Sequence, residues 1–260
     1  MNEKNKNRIM THFWRVFVLG FLALVWELLA HREIIDIFYF SRPSLIAVDF
    51  CKLFSTGMVL PHIFVTMQAT ISGLLLGSVL GVAVAFVMGR FEMIGRIFDP
   101  VIVALYGIPK LALGPLFILW FGLGIESKIF LSFIWVFFIM YFSAYGGFKN
   151  VEQRVINSAL LMGATPFQII HKIILPSSVP WILTGLKTAI GVALLGAIVG
   201  EYIGSAAGLG YLVQSAGNKF DTTQVLSTIL IMTLIMVVLN EMVLRLEKFV
   251  LRWRPAHQHV

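Results

Sequence analysis

Apolar residues in this chain gather into long unbroken runs separated by short polar, basic stretches. Neither the two-residue alternation of a half-buried strand nor the narrow stripe of a surface helix dominates. Runs near the ~20 residues that cross hydrocarbon as a helix fall at about 13–30, 63–88, 99–121, 129–148, 180–203 and 223–244. The pattern predicts an all-α integral membrane protein with about six transmembrane helices. Between the first two runs, Ser41-Arg42-Pro43-Ser44 reads as a turn with a short amphipathic stretch behind it. A cleavable leader competes for the first run. The long apolar region, Glu27 at its end and His31-Arg32-Glu33 after it in place of small residues favour a spanning helix.

Composition agrees: 58% of the residues are hydrophobic and 13% charged, far from a soluble core. The net charge of +7 raises nucleic acid as a partner, but the basic residues sit between apolar runs, so membrane orientation explains them and no nucleic acid is expected. With the N-terminus inside, 14 of the 20 Lys and Arg fall on or near the cytoplasmic side. Both ends and the 149–180 loop are therefore expected to be cytoplasmic. The single cysteine, Cys51, excludes an internal disulfide framework and is read as a packing residue. His257 and His259 read as a tail, not a metal site, and no cofactor is expected.

Two runs carry small residues every fourth position: Ala69, Gly73, Gly77, Gly81, Ala85 and Gly89 in the second, Gly196, Gly200, Gly204 and Gly208 around the end of the fifth. That spacing places them on one helix face, where backbones approach closely. Tight packing and a face that slides both fit.

Residues 151–180 are the one long non-spanning stretch on the inner side. Glu152–Met162 reads as a helix ended by Gly163. Thr165-Pro166-Phe167-Gln168 has the form of a capping box with Pro at the first helical position. A second short helix is expected from Pro166 to about Ile174, stopping before Pro176. Two short helices around a glycine turn make a rigid knob suited to a groove on another protein.

Gly163, nine further residues and Ile173-Ile174-Leu175-Pro176, with Ala159 four residues before Gly163, resemble the EAA loop of binding-protein-dependent ABC importer permeases. Asn157 and Ser158 replace the usual Glu and Ala. Pro109-Lys110, Pro115-Leu116, Trp120-Phe121-Gly122-Leu123-Gly124, Ser127-Lys128, Gly200-Glu201 and Gly208-Leu209-Gly210 resemble the nitrate/sulfonate/taurine branch. The resemblance covers roughly residues 60–250. It implies a five-helix permease core over 62–250, preceded by a segment over 1–61 with one extra N-terminal helix and followed by a tail at 251–260. It further implies a bacterial inner-membrane location and a second permease copy forming a homodimer. A cytoplasmic ATP-binding subunit would be engaged through Ala159, Gly163, Thr165, Pro166, Phe167, Ile173, Leu175 and Pro176, and an extracytoplasmic substrate-binding protein would deliver a small, anionic or organic solute. No G-x4-G-K-[ST] phosphate loop is present, so energy must come from a partner chain and the chain is not expected to be an enzyme.

Within the apolar runs, Lys110 lies ~16 Å beyond Asp99, about half the hydrocarbon depth, in a run expected to be broken by Pro100, Pro109 and Pro115. It reads either as facing the translocation path and favouring anionic cargo, or as a structural lysine paired beside a helix break. Glu201 reads either as a gate residue at the external end or as a hydrogen-bonding partner of the Gly204–Gly210 turn. Glu27 and Asp221 read as solvated heads at external helix ends. An ion-driven secondary transporter would want paired broken helices and intramembrane carboxylates in related halves, and only one broken run is seen. A membrane enzyme would want a His/carboxylate cluster, which the six histidines do not form in sequence.

Overall fold

A computed structural model describes residues 3–252; the His257-x-His259 tail lies outside the described residues. The order is α1 (Glu3–His31), α2 (Ile37–Phe40), α3 (Pro43–Ser55), α4 (Val59–Arg90), α5 (Glu92–Gly107), a 3-10 turn Lys110–Leu113, α6 (Gly114–Phe121), α7 (Ile125–Lys149), α8 (Gln153–Leu161), α9 (Pro166–Ile169), a π-helical turn Ile170–Ile174, α10 (Leu175–Ile203), α11 (Leu209–Asn218) and α12 (Thr222–Val250). Among the described residues five helices are long and apolar enough to cross a membrane, six spans when the bent pair α5 and Lys110–Phe121 counts as one.

The third span is thus two pieces meeting at 79°. The break sits at Pro109 alone. Ile108 before it is driven into the extended region (ψ 131), as a residue preceding proline prefers. Pro100 lies inside a continuous α5, and Pro115 opens α6, where its missing N–H strands no bond.

The chain forms two compact units. One comprises the chain up to Leu60 with Leu212–Met232. In it, the Glu27 carboxylate accepts from the Ser44 backbone N–H at 2.9 Å and its hydroxyl at 2.7 Å. Arg42, at the N-cap of α3, offers no side-chain cap, and Glu27 supplies the missing acceptor. It is therefore not a freely solvated head. Asp221 caps the start of α12 by accepting from Gln224 N–H at 3.0 Å, so it too has a backbone duty. Cys51 is exposed on α3, not a packing residue.

The other unit, Pro61–Tyr211 with the chain from Thr233 onward, is built around α7. A Cβ placed on Gly77 would stand 2.7 Å from Val136 Cβ, and one on Gly81 2.7 Å from the Phe137 carbonyl, so α4 runs parallel to α7 at backbone distance. On the opposite side a Cβ on Gly196 would meet Ser132 Cα at 2.8 Å, with Gly185 beside Ser143, so α10 runs antiparallel. Ser132 is buried between Gly73 and Gly196. The small-residue faces are packing faces here. Apolar burial then closes the interior: Val136, Met140, Ala189 and Ala193 in one cluster, and Ile190 with Leu239 and Val243 where α12 returns over α10. Lys187 and Glu247 pair at 2.5 Å across the same two helices.

Helix α10 departs from the expected layout. No helix stops before Pro176; α9, the π turn and α10 form one continuous rod from Pro166 to Ile203. The Leu175 N–H reaches back to the Ile170 carbonyl, five residues away. This wider turn lets Pro176 follow as if at a helix start, where a proline clashes with nothing and loses no bond. The fifth span is thus fused to the knob below it.

Candidate functional site

The hairpin between α7 and α10 is closed by two local devices. At the end of α8, the Ala164 N–H bonds the Ala159 carbonyl and the Gly163 N–H bonds the Leu160 carbonyl, both at 2.9 Å. That pair of bonds requires a left-handed residue between them, and Gly163 has φ +82. Thr165 then caps α9: its hydroxyl accepts from Gln168 N–H at 3.3 Å, and the Gln168 side chain accepts from Thr165 N–H at 2.9 Å. The end of α8 and the start of α9 are thus each closed by two hydrogen bonds made within the loop.

On this frame Leu161 and Met162 are 90% and 87% exposed, more than any other large apolar side chain described, and they lie outside every candidate span. Phe167 is also exposed and stacks on His171 with ring centroids 4.2 Å apart. Ile169 is buried, and with Leu160, Pro166 and Ile174 it faces Phe86, Arg90 and Phe148 at the ends of α4 and α7 across a cleft. Of the other residues singled out, Ala159, Ile173 and Leu175 are half-buried and Pro176 is exposed. Asn157 accepts from Gln153 at 3.0 Å and Ser158 donates to the Arg154 carbonyl at 2.8 Å, so both replacements for the usual Glu-Ala bond within α8.

A second constellation lies at the far end of α10. Glu201 is fully buried, and its Oε2 accepts from the Thr66 hydroxyl at 2.9 Å and the Gly210 N–H at 2.8 Å. Thr66 in turn accepts from Leu209 N–H at 2.9 Å, and His62 Nδ1 accepts from Gly208 N–H at 3.0 Å. Gly208 has φ +112, and any side chain there would overlap the Glu201 carboxylate. Lys128, 1% exposed, donates to the Leu123 carbonyl at 2.6 Å and the Gly204 carbonyl at 2.5 Å. Glu201 thus makes the hydrogen bond to the turn after α10 that the second of its two readings named, through the Gly210 N–H. Sequence reasoning quoted Lys128 only within a family motif and missed Thr66 and His62. Only polarity beside an apolar run marked those two, since Thr66 and Glu201 are 135 positions apart.

Lys110 opens the piece after the Pro109 break. Its ammonium donates to the Tyr106 carbonyl at 2.7 Å and lies 4.5 Å from the Tyr106 ring centre and 4.9 Å from that of Phe138. The carbonyl is one the break has freed, which is the pairing a structural lysine would make. The group is half-buried, and neither its bond to Tyr106 nor those of Glu201 to Thr66 and Gly210 joins the two path candidates. Among the described residues, no three His, Cys, Asp or Glu side chains converge as metal ligands.

Comparison with known proteins gives a consistent picture. A family model described as "Binding-protein-dependent transport system inner membrane component" matches residues 73–253. The formylaminopyrimidine transport permease protein ThiX of Halalkalibacterium halodurans is 33% identical over 233 residues, covering 90% of this chain and 92% of that protein. The taurine transport system permease protein TauC of Escherichia coli is 30% identical over 273 residues, covering 100% and 98%. The putative aliphatic sulfonates transport permease protein SsuC of Bacillus subtilis is 30% identical over 237 residues, covering 91% and 86%. Among solved structures, a chain of the MetNI methionine ABC transporter in an inward-facing conformation superposes with a TM-score of 0.66 at 17% identity, over 74% of this chain and 95% of that one. At that identity the likeness shows the fold.

Proposed function

This chain belongs to the binding-protein-dependent transport system inner membrane component family, and from that membership we propose how it works. It is a multi-pass inner-membrane permease of the ABC importer type, and its task is to form the pathway for a small solute. In our reading two copies build that pathway. An ATP-binding subunit seats the 153–176 hairpin of each copy on the cytoplasmic side, and a binding protein delivers cargo on the other. The cargo is a small anionic or zwitterionic organic solute, as the names of the sulfonate and taurine relatives suggest for this chain. Lys110 is the cation we assign to the path.

The observation that carries this reading is the hairpin itself. A self-capped loop that holds Leu161 and Met162 almost fully in water, outside the spans, has an unfilled apolar surface and a shape already set for a groove. Its continuity with α10 supplies the linkage. Force applied at Phe167 enters a helix that runs through the π turn to Glu201, with no joint at Pro176 to absorb it. Closure of the ATP-binding subunits would then move α10 as a rod and switch access from one side to the other.

Gly163→Ile tests the proposal. A β-branched residue in the left-handed position costs roughly 1–2 kcal/mol and disturbs the turn that aims Leu161 and Met162. The chain is expected to reach the membrane in normal amount while the ATP-binding subunit fails to co-purify and uptake stops. Retained co-purification and uptake would remove the docking role. Solute import by the purified chain alone, driven in liposomes by a proton or sodium gradient, would remove the whole reading.

A further inference from the structure

Among the described residues only three non-glycine residues have positive φ: Glu33 (57), Ser41 (53) and Phe220 (57). All three fall in the unit formed by the chain up to Leu60 and Leu212–Met232. Glu33 ends α1 and Phe220 ends α11, each at the place where glycine is the usual residue: Ile34 N–H bonds the Leu29 carbonyl, and Asp221 N–H bonds the Ala216 carbonyl. Ser41, fully buried, ends α2 at ψ −160, a region that residues with a Cβ rarely enter.

Between them these positions hold one surface. Phe38 and Phe220 stack at 6.3 Å. The Thr222 hydroxyl donates to the Phe38 carbonyl at 2.6 Å, and the hydroxyls of Ser41 and Thr223 lie 2.8 Å apart. Asp36 caps α2 by accepting from Phe38 N–H at 2.8 Å. The polar groups are thus turned inward and tied, while Ile34, Phe38, Tyr39, Phe40 and Phe220 are 69%, 53%, 67%, 56% and 73% exposed. A phenylalanine in left-handed backbone and in water is unfavourable twice over. Burial of its ring in an apolar medium more than offsets the backbone cost, and glycine would avoid both.

We propose that this aromatic platform is seated in the lipid at the membrane–water boundary. Two features select lipid as the occupant. The platform is continuous with the membrane itself: Ile34 lies three residues past the end of the Phe13–His31 span, and Phe220 two residues before the Thr222–Val250 span. Its composition, rings carried at span ends with a tyrosine among them, is that of an interfacial belt, in which the rings lie at headgroup level. The platform would fix the depth at which α1 ends and α12 begins.

Site-directed spin labelling of the full chain tests this, in vesicles of phosphatidylethanolamine and phosphatidylglycerol. Cys51→Ser gives a cysteine-free background; Tyr39→Cys, Phe220→Cys and, as a control, Lys219→Cys then carry the nitroxide. At 39 and 220, collisions with dissolved oxygen are expected to exceed those with a water-soluble nickel chelate, and the order should reverse at 219. Nickel collisions dominating at both 39 and 220 would overturn the proposal and make the platform a water-facing surface for another protein. Labels reached by neither reagent would overturn it too, since a second protein chain would then cover the site. Two independent positions keep the test decisive if one variant fails to fold.

Discussion

The hairpin at residues 153–176 and the buried charges around Glu201 sit at the two ends of the α9–α10 rod, and they treat water in opposite ways. At the hairpin, apolar Leu161 and Met162 are left in solvent while the Gly163 and Ala164 N–H groups and the Thr165–Gln168 pair bond within the loop. At the far end, Lys128 and Glu201 are withdrawn from solvent and their polar groups meet backbone carbonyls, an amide N–H and a hydroxyl. Both arrangements look anomalous by composition, yet they mean different things. An exposed apolar tip that gains nothing from its own chain is the surface our proposal gives to a partner. A buried charge that is bonded on several sides is a fastener, because its loss strands the groups it serves.

That contrast is broken most severely at Lys128. Methionine fills a similar volume but leaves the Leu123 and Gly204 carbonyls without their donor, at a cost of about 1–3 kcal/mol for each stranded group. Lys128→Met should accumulate poorly in membranes, and what survives should unfold at a lower temperature. Glu201→Gln, which keeps an acceptor oxygen in place, should be far milder. Equal thermal stability of Lys128→Met and the unaltered protein would deny the fastening role.

The hairpin should yield less. Thr165→Ala removes the acceptor for Gln168 N–H and half of the capping box, worth about 1 kcal/mol. The spans do not depend on it, so the amount and melting temperature of the protein should hold. Proteolysis should quicken between residues 161 and 169, and stimulation of the ATP-binding subunit should fall in part. A change in membrane accumulation as large as that of Lys128→Met would show that the hairpin is part of the fold and not a local attachment to it.

Sequence carried the near-range features of both regions and little of the long-range ones. Six apolar runs gave the spans, and Gly163 with Thr165-Pro166-Phe167-Gln168 gave the hairpin, because a Schellman turn and a capping box are closed within six residues. Pro176 misled, since a π turn that accommodates a proline leaves no mark that separates it from a helix stop. Glu27 looked like a solvated head because its partner, Ser44, is 17 residues away on another helix. The far-end cluster was harder still: Glu201 was visible as a carboxylate in an apolar run, but its bond to Thr66, 135 positions away, was not. Polar residues inside apolar runs announce that some partner exists; only packing says which.

Lys110 stands between the two cases and gives the finest test of the comparison. Like Lys128 it follows a helix break and donates to a freed carbonyl, but it has one such bond instead of two and remains half in the open. Its two ring contacts are worth about 0.5–1 kcal/mol each at an exposed site. Lys110→Met keeps the aliphatic packing and should cost assembly little, so any fastening role it has is small. If the remaining donors of its ammonium serve cargo, uptake normalised to assembled complex should be abolished, and Lys110→Arg, which keeps the charge, should recover part of it. Unchanged uptake in Lys110→Met would place this lysine with Lys128 as a support for the backbone, and the selection of anionic cargo would then have to arise before the solute enters the permease.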